Sequence, residues 1–332
     1  MASIATIDYG FAPDGDRARI IDRKARAYLA ESIEHIAKQS AGIIPYNVAA
    51  LTGLIEGLRQ GQQYPPGTYG TYFELALCLM DEDYDRAEKL FDALVCDEVI
   101  SGNFRIVALD SPYITRHRER YLALMDSDPN SSFIMRPPSV AEANGFRTRF
   151  EHAWKLLGEA IPALADEFAA LVSEVCMVVG DPNARMQFDG GSSYMLWGGL
   201  FLNAASHDSE ASLIEALAHE SAHSLLFGYA LDEALVENDD DELFKSPLRV
   251  DSRPMDGIYH ATYVSARMHW SMSRLIESGR LDATGQAKAE KARAHDRENF
   301  EAGYAVVREH GRLSATGRAV MAEARSYMDS LA

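Results

Sequence analysis

The segment His219-Glu220-Ser221-Ala222-His223 sets two imidazoles one helical turn apart, with a carboxylate beside the first. Side chains four residues apart leave the same helical face about 6 Å from one another, so both rings can converge on one first-row metal ion. A third imidazole, His260, follows in Asp256-Gly257-Ile258-Tyr259-His260-Ala261-Thr262-Tyr263 and completes a three-ligand set. Three protein ligands leave coordination positions open, which marks a catalytic centre rather than a structural one.

The chemistry such a centre performs turns on Glu220. In a zinc peptidase Glu220 is the general base that takes a proton from metal-bound water, while the metal polarises the scissile carbonyl. The extended peptidase pattern H-E-x-x-H-x-x-G-x-x-H is not met: after His223 the glycine, Gly228, comes two places late and no histidine follows it. A peptidase with a downstream glutamate ligand has Glu233 or Glu237 to draw on. Three neutral imidazoles also suit Fe(II), whose open positions accept a bidentate 2-oxo acid and dioxygen. Such an oxygenase needs a cation for the distal carboxylate of 2-oxoglutarate, and arginine pairs with a carboxylate in bidentate fashion. Arg253, Arg267 and Arg249 are the candidates, Arg267 because seven residues after His260 returns to the same helix face.

The elements that must hold these residues are mostly helical. Apolar residues recur at three- and four-residue steps from about Asp16 to Gln39, and more helix is expected at Val48–Leu58, Thr71–Met80, Tyr84–Val95, Tyr121–Met125, Ala141–Leu157 and Pro162–Val178. Ala184–Phe188 and Ser193–Asn203 read as two short strands joined through Gly190-Gly191-Ser192. The second feeds into the metal-motif helix, Ser209 to about Phe227, which places an exposed strand next to the metal. Leu231–Phe244, with Asp239-Asp240-Asp241-Glu242, reads as a solvated acidic loop. Three helices, roughly Gly257–Ser278, Gln286–His310 and Ser314–Ser330, close the chain. The fold expected is mainly α with a small antiparallel β-sheet (α+β), a zincin-like HExxH helix packing near the sheet. A boundary at Arg136-Pro137-Pro138-Ser139 divides a helical N-terminal portion, residues 1–136, from a metal-binding catalytic domain with C-terminal helices, residues 137–332.

Composition narrows the partners. The 332 residues carry 32 basic and 50 acidic side chains, a formal charge of −18, which disfavours nucleic acid and anionic membrane. Cys78, Cys96 and Cys176 are scattered among apolar neighbours and read as buried thiols of a reducing compartment. The N-terminus lacks the basic and apolar segments of a signal peptide, and no apolar run approaches the roughly 20 residues that span a bilayer, so a soluble cytoplasmic protein is expected. Oligomeric state is not legible.

The segment from Ser246-Pro247-Leu248-Arg249 through Asp251-Ser252-Arg253-Pro254-Met255-Asp256-Gly257 to His260-Ala261, taken with the HExxH pair, resembles the family of HExxH-motif peptide-modification proteins. Gly191-Ser192-Ser193-Tyr194 and Gly198-Gly199-Leu200-Phe201-Leu202-Asn203 are similar to that family's strands, and the resemblance runs from about Ala141 to Arg267. Leu248 departs from it, standing where an aromatic residue is expected. The resemblance implies a Fe(II)- and 2-oxoglutarate-dependent enzyme that β-hydroxylates a residue of a ribosomal precursor peptide (RiPP tailoring). It carries over His219, His223 and His260 as ligands and Arg253 as a functional arginine. Glu220 then becomes a group that orients a ligand or water. The peptide could add its backbone to a strand edge, with Tyr194, Trp197 and Asn203 as contacts, and residues 1–136 could recognise its flanking part. Two other readings stand beside this one: a zinc metallopeptidase with Glu220 as base, and a non-catalytic peptide-binding protein that keeps the metal for folding.

Overall fold

The computed structural model describes residues 7–102, 104–125, 134–181, 183–184, 187–247 and 251–331. In chain order the helices are α1 (Gly15–Ser40), α2 (Val48–Arg59), α3 (Pro66–Met80), α4 (Tyr84–Leu94), α5 (Arg118–Met125), α6 (Val140–Ala160), α7 (Pro162–Leu171), α8 (Glu210–Tyr229), α9 (Met255–Glu277), α10 (Ala283–His310) and α11 (Ala315–Asp329). The strands are β1 (Arg105–Ala108), β2 (Met135–Arg136), β3 (Glu174–Gly180), β4 (Gly190–Ser192), β5 (Gly199–Asn203), β6 (Leu243–Lys245) and β7 (Ser252–Pro254). Helix makes up 63% of the described residues, so the mainly helical reading with a small sheet holds.

Two compact units share the chain, and neither is continuous. One comprises residues 1–21, 146–168 and 207–332 and carries all three histidines of interest; the other comprises 22–145 and 169–206 and carries the larger sheet. A single cut near residue 136 does not describe this division, since α1, α6 and α7 each begin in one unit and end in the other.

In the sheet unit the strand order is β1-β3-β5-β4, with β2 pairing β3. β3 runs parallel to both β1 and β5, while β4 and β2 pair antiparallel, so the sheet is mixed and the expected antiparallel sheet is corrected. The expected helix Pro162–Val178 ends at Leu171, and Glu174–Gly180 is strand. All seven residues of β3 are buried. A strand buried on both faces has no polar alternation to report it. The strand expected over Ala184–Phe188 falls partly outside the described residues, and what is described of it is not strand; pairing begins instead at Gly190, taken from sequence as a connection. Ser193–Asn203 is likewise shorter as strand than expected, because Tyr194–Leu196 forms a 3-10 turn and only Gly199–Asn203 pairs. β5 is buried throughout and lies between β3 and β4, so it is an interior strand and not the exposed one anticipated. Val107, Tyr121, Cys176, Val178, Leu196 and Phe201 belong to the core around these strands. Cys78 and Cys176 are buried as expected; Cys96 is exposed.

In the histidine unit α8 is buried on nearly every side, as a central helix must be when its apolar residues run all round it. Its start is fixed by a reciprocal cap between Ser209 and Ser212. α9 follows the β6–β7 hairpin directly, with Pro254 closing β7 and Met255 opening the helix. α10 packs closely on α9 at Gly303, where a Cβ would stand 2.3 Å from Thr262 Oγ1. The acidic run Asp239–Asp241 is exposed, as expected of a solvated loop, and Arg312 bonds the neighbouring Glu242 at 2.9 Å.

Candidate metal centre

α8 supplies His219 and His223, and α9 brings His260 against them. His223 stands in the middle: its Nε2 is 3.2 Å from His219 Nε2, and its Nδ1 is 3.1 Å from His260 Nδ1. The His223 and His260 rings stack at 17° with centroids 5.3 Å apart, and Phe227, one turn beyond His223, covers His260 at 5.4 Å.

A neutral imidazole has one N–H and one lone pair, and a thioether sulfur only accepts. His219 Nδ1 lies 3.1 Å from Met268 Sδ, so it carries the N–H there and leaves Nε2 with the lone pair. Without metal the chain closes when His223 donates from Nε2 to His219 and His260 donates from Nδ1 to His223. A cation held by the two Nε2 atoms would replace the first of these protons, and His223 would then carry its N–H on Nδ1 and donate it to His260.

The spacing suits that exchange. Two nitrogens each about 2.1 Å from one ion stand about 3.0–3.4 Å apart at octahedral or tetrahedral angles, and the Nε2 pair is at 3.2 Å. Burial, reinforced by His219 and His260, holds His223 well below the usual imidazole range, and burial also lowers His260 against the opposing pull of Asp256. Both rings are therefore neutral near pH 7, the form a metal requires. His260, however, meets His223 through Nδ1 on the side away from the Nε2 pair. Among the described residues no three His, Cys, Asp or Glu side chains are arranged as a closed ligand set.

Glu220 is buried, with Oε1 3.8 Å from His219 Nε2, so its carboxylate stands beside the His219–His223 pair. Asp256, one turn before His260, places Oδ1 3.9 Å from His260 Nε2. Sequence reasoning passed over Asp256, although its i, i+4 spacing to His260 was legible. It also passed over Met268, whose role emerges only once α8 and α9 are packed.

The three arginines fare differently. Arg253 lies in β7 with its side chain 25% exposed and Nε 3.3 Å from Asp251 Oδ2. Arg267 is buried: its guanidinium bonds the carboxylate of Glu167 and donates to the Phe11 carbonyl at 2.6 Å. Arg249 lies outside the described residues. Of the alternative ligands, Glu233 accepts the backbone N–H of Thr316 at 3.1 Å in the first turn of α11, and Glu237 is exposed.

Tyr194, Trp197 and Asn203 belong to the sheet unit. Trp197 is buried and donates its indole N–H to Asp22 Oδ1 at 3.1 Å. Asn203 bonds the Phe188 carbonyl through Nδ2 and accepts from Ala205 N through Oδ1, which fixes a turn. Tyr194 is 57% exposed and meets Phe73 edge to face. Of the three, Tyr194 offers surface to a partner; the other two are engaged in folding the unit. No helix among the described residues is long and apolar enough to cross a membrane. No protein-family model matches the chain, and no curated protein matches it in sequence.

Proposed function

We propose that the chain is a Fe(II)- and 2-oxoglutarate-dependent oxygenase that β-hydroxylates a residue of a ribosomal precursor peptide in the cytoplasm, with α8 as a zincin-like metal helix. The observation that carries the metal reading is the His219–His223 Nε2 pair at 3.2 Å; iron and the 2-oxo acid are carried by the resemblance of Ser246–Ala261 and the missing peptidase extensions. When bound, iron with 2-oxoglutarate and dioxygen supplies the oxidising power to replace a β C–H by C–OH, releasing succinate and carbon dioxide.

This chain's part is to bind and orient. His219 and His223 would hold the metal through Nε2, with the other nitrogen of His219 fixed on Met268. His260 is proposed as the third ligand, a role in which its ring leaves His223 Nδ1. Arg253 is better suited than Arg267 to the distal carboxylate, because the Arg267 guanidinium is already engaged by Glu167.

The position of Glu220 favours a second reading, a zinc metallopeptidase. A buried carboxylate 3.8 Å from a chelating nitrogen is placed to take a proton from metal-bound water. Anaerobic Fe(II) and 2-oxoglutarate should produce a weak visible charge-transfer band that oxygen and peptide discharge. Absence of that band, together with zinc-dependent peptide cleavage, decides for the peptidase. His260→Ala separates two roles for the third imidazole: a ligand's loss abolishes binding at low micromolar metal, whereas loss of an orienting partner weakens it about 10- to 100-fold.

A further inference from the structure

The histidine unit encloses a second polar cluster in which donors outnumber acceptors. Glu167 is fully buried, with its two oxygens taken by Arg17, Arg267 and the backbone N–H of Asp14. The remaining bonds of the two guanidiniums go to carbonyls of one segment: Arg17 to Gly10 and Ala12, Arg267 to Phe11. Two tyrosines pack on that same segment, Tyr229 against Tyr9 at 5.2 Å and Tyr263 against Phe11 at 6.0 Å between ring centroids. The hydroxyls of Tyr229 and Tyr263 and the Nε of Arg17 are all buried, and none has a hydrogen-bond partner among the described residues.

Two permanent cations against one carboxylate leave a buried charge of +1, which Asp14 answers from the surface alone. Burial raises both phenols above their usual range, so they remain O–H donors at any ordinary pH. A buried phenol O–H ordinarily finds an acceptor. The partner that suits these donors is therefore an acceptor that carries negative charge.

We propose that Tyr229, Tyr263 and Arg17 form a binding site for a small carboxylate anion within the histidine unit. Tyr229, Tyr263 and Arg17 lie close enough to act on one another's charge, and their two hydroxyls and one guanidinium N–H would supply three donors to the two oxygens of a carboxylate, whose charge would neutralise the cluster. The inference stands apart from the reaction proposed above, since it rests on no property of the metal centre.

The test is calorimetry and thermal melting of the full chain in halide-free buffer with formate or acetate as probe. The expected result is saturable binding that raises Tm, with Tyr229→Phe and Tyr263→Phe each weakening affinity roughly tenfold or more, as loss of a hydrogen bond to a charged group does. Competition by 2-oxoglutarate supports the site with the cosubstrate as source of the carboxylate. Acetate binding that 2-oxoglutarate leaves untouched supports it with another acid as source. A shift that does not saturate, or one that both phenylalanine variants leave unchanged, overturns the proposal, as does chloride binding with the same tyrosine dependence where acetate fails. Each variant removes one oxygen from a ring that keeps its packing, and circular dichroism confirms that it folds; should either fail, Arg17→Lys, which removes the Nε–H and keeps the charge, is expected to weaken acetate binding in the same way, and unchanged affinity there counts against the site.

Discussion

Asp296 should destabilise the protein at neutral pH, and Asp296→Asn should relieve it. The side chain is fully buried on the α10 face that also carries Ala289, Phe300, Gly303 and Val307, and neither carboxyl oxygen has a hydrogen-bond partner among the described residues. Burial, with the Glu215 carboxylate on α8 adding to it, pushes its pKa up from 3.8 to about 8. The folded protein therefore keeps a proton that the unfolded chain gives up near pH 4. Stability falls as pH rises from 3.8 toward 8 and is level beyond, because only in that window do the two states differ in protonation. Each pH unit within it costs about 1.4 kcal/mol, so Asp296 costs at most about 4 kcal/mol at pH 7 and about 1.5 kcal/mol at pH 5. Asn has the same shape and no charge to withhold. Urea unfolding of both proteins at pH 5, 7 and 9 should show the variant more stable, with a gain that grows from pH 5 to pH 7. A gain independent of pH, or a variant less stable at pH 7, would refute the argument; the second outcome would mean that a cation answers the carboxylate.

Three further outcomes follow from buried groups elsewhere. Burial, with Arg293 and Arg297 adding to it, lowers His269 to about 4, so the folded state refuses a proton that the unfolded chain takes up, and stability is lost as pH falls from 6.5 toward 4. His269→Gln should flatten that acid limb, worth at most about 3 kcal/mol, in melts at pH 7 and 4.5. Arg267→Leu leaves Glu167 to Arg17 and the Asp14 N–H and should destabilise by about 3 kcal/mol, whereas Arg253→Leu should leave Tm nearly unchanged and weaken 2-oxoglutarate binding by calorimetry. Gly67→Ala places a methyl 2.2 Å from the His117 ring, which cannot swing aside because its nitrogens bond Asp97 and Arg120. A loss of about 1–3 kcal/mol by chemical denaturation is expected.

How much of this was legible depended on whether the signal was local. The HExxH pair needs only helical periodicity, and α8 places both rings as that periodicity requires. β3 was not legible, since Val175–Val179 is as apolar as a buried helix and only its pairing with β1 and β5 makes it strand. β4 was hidden for the opposite reason: Gly190 and Gly191 have no side chain to alternate, and their strand character comes from facing Leu202 and Phe201. For Arg267 the angular argument was sound but incomplete. Seven residues return to the same helix face, yet they also advance about 10 Å along the axis, enough for Arg267 to reach Glu167 and Phe11.

That displacement bears on the third imidazole. Nothing in its own sequence neighbourhood fixes the distance from His260 to His223, because the two sit on different helices. α9 is instead pinned on either side of His260 by distant partners: Tyr259 donates to the Gly317 carbonyl at 2.8 Å, and Arg267 holds Glu167 and Phe11. Those contacts set the height and rotation of α9 against α8, and with them the 3.1 Å between the two Nδ1 atoms. An arginine expected to grip a cosubstrate thus acts on the three-histidine cluster from a distance, by holding in register the helix that carries His260. Arg267→Leu should accordingly weaken metal binding as well as folding, and a variant that melts early yet binds metal with unchanged affinity would break the link between the two.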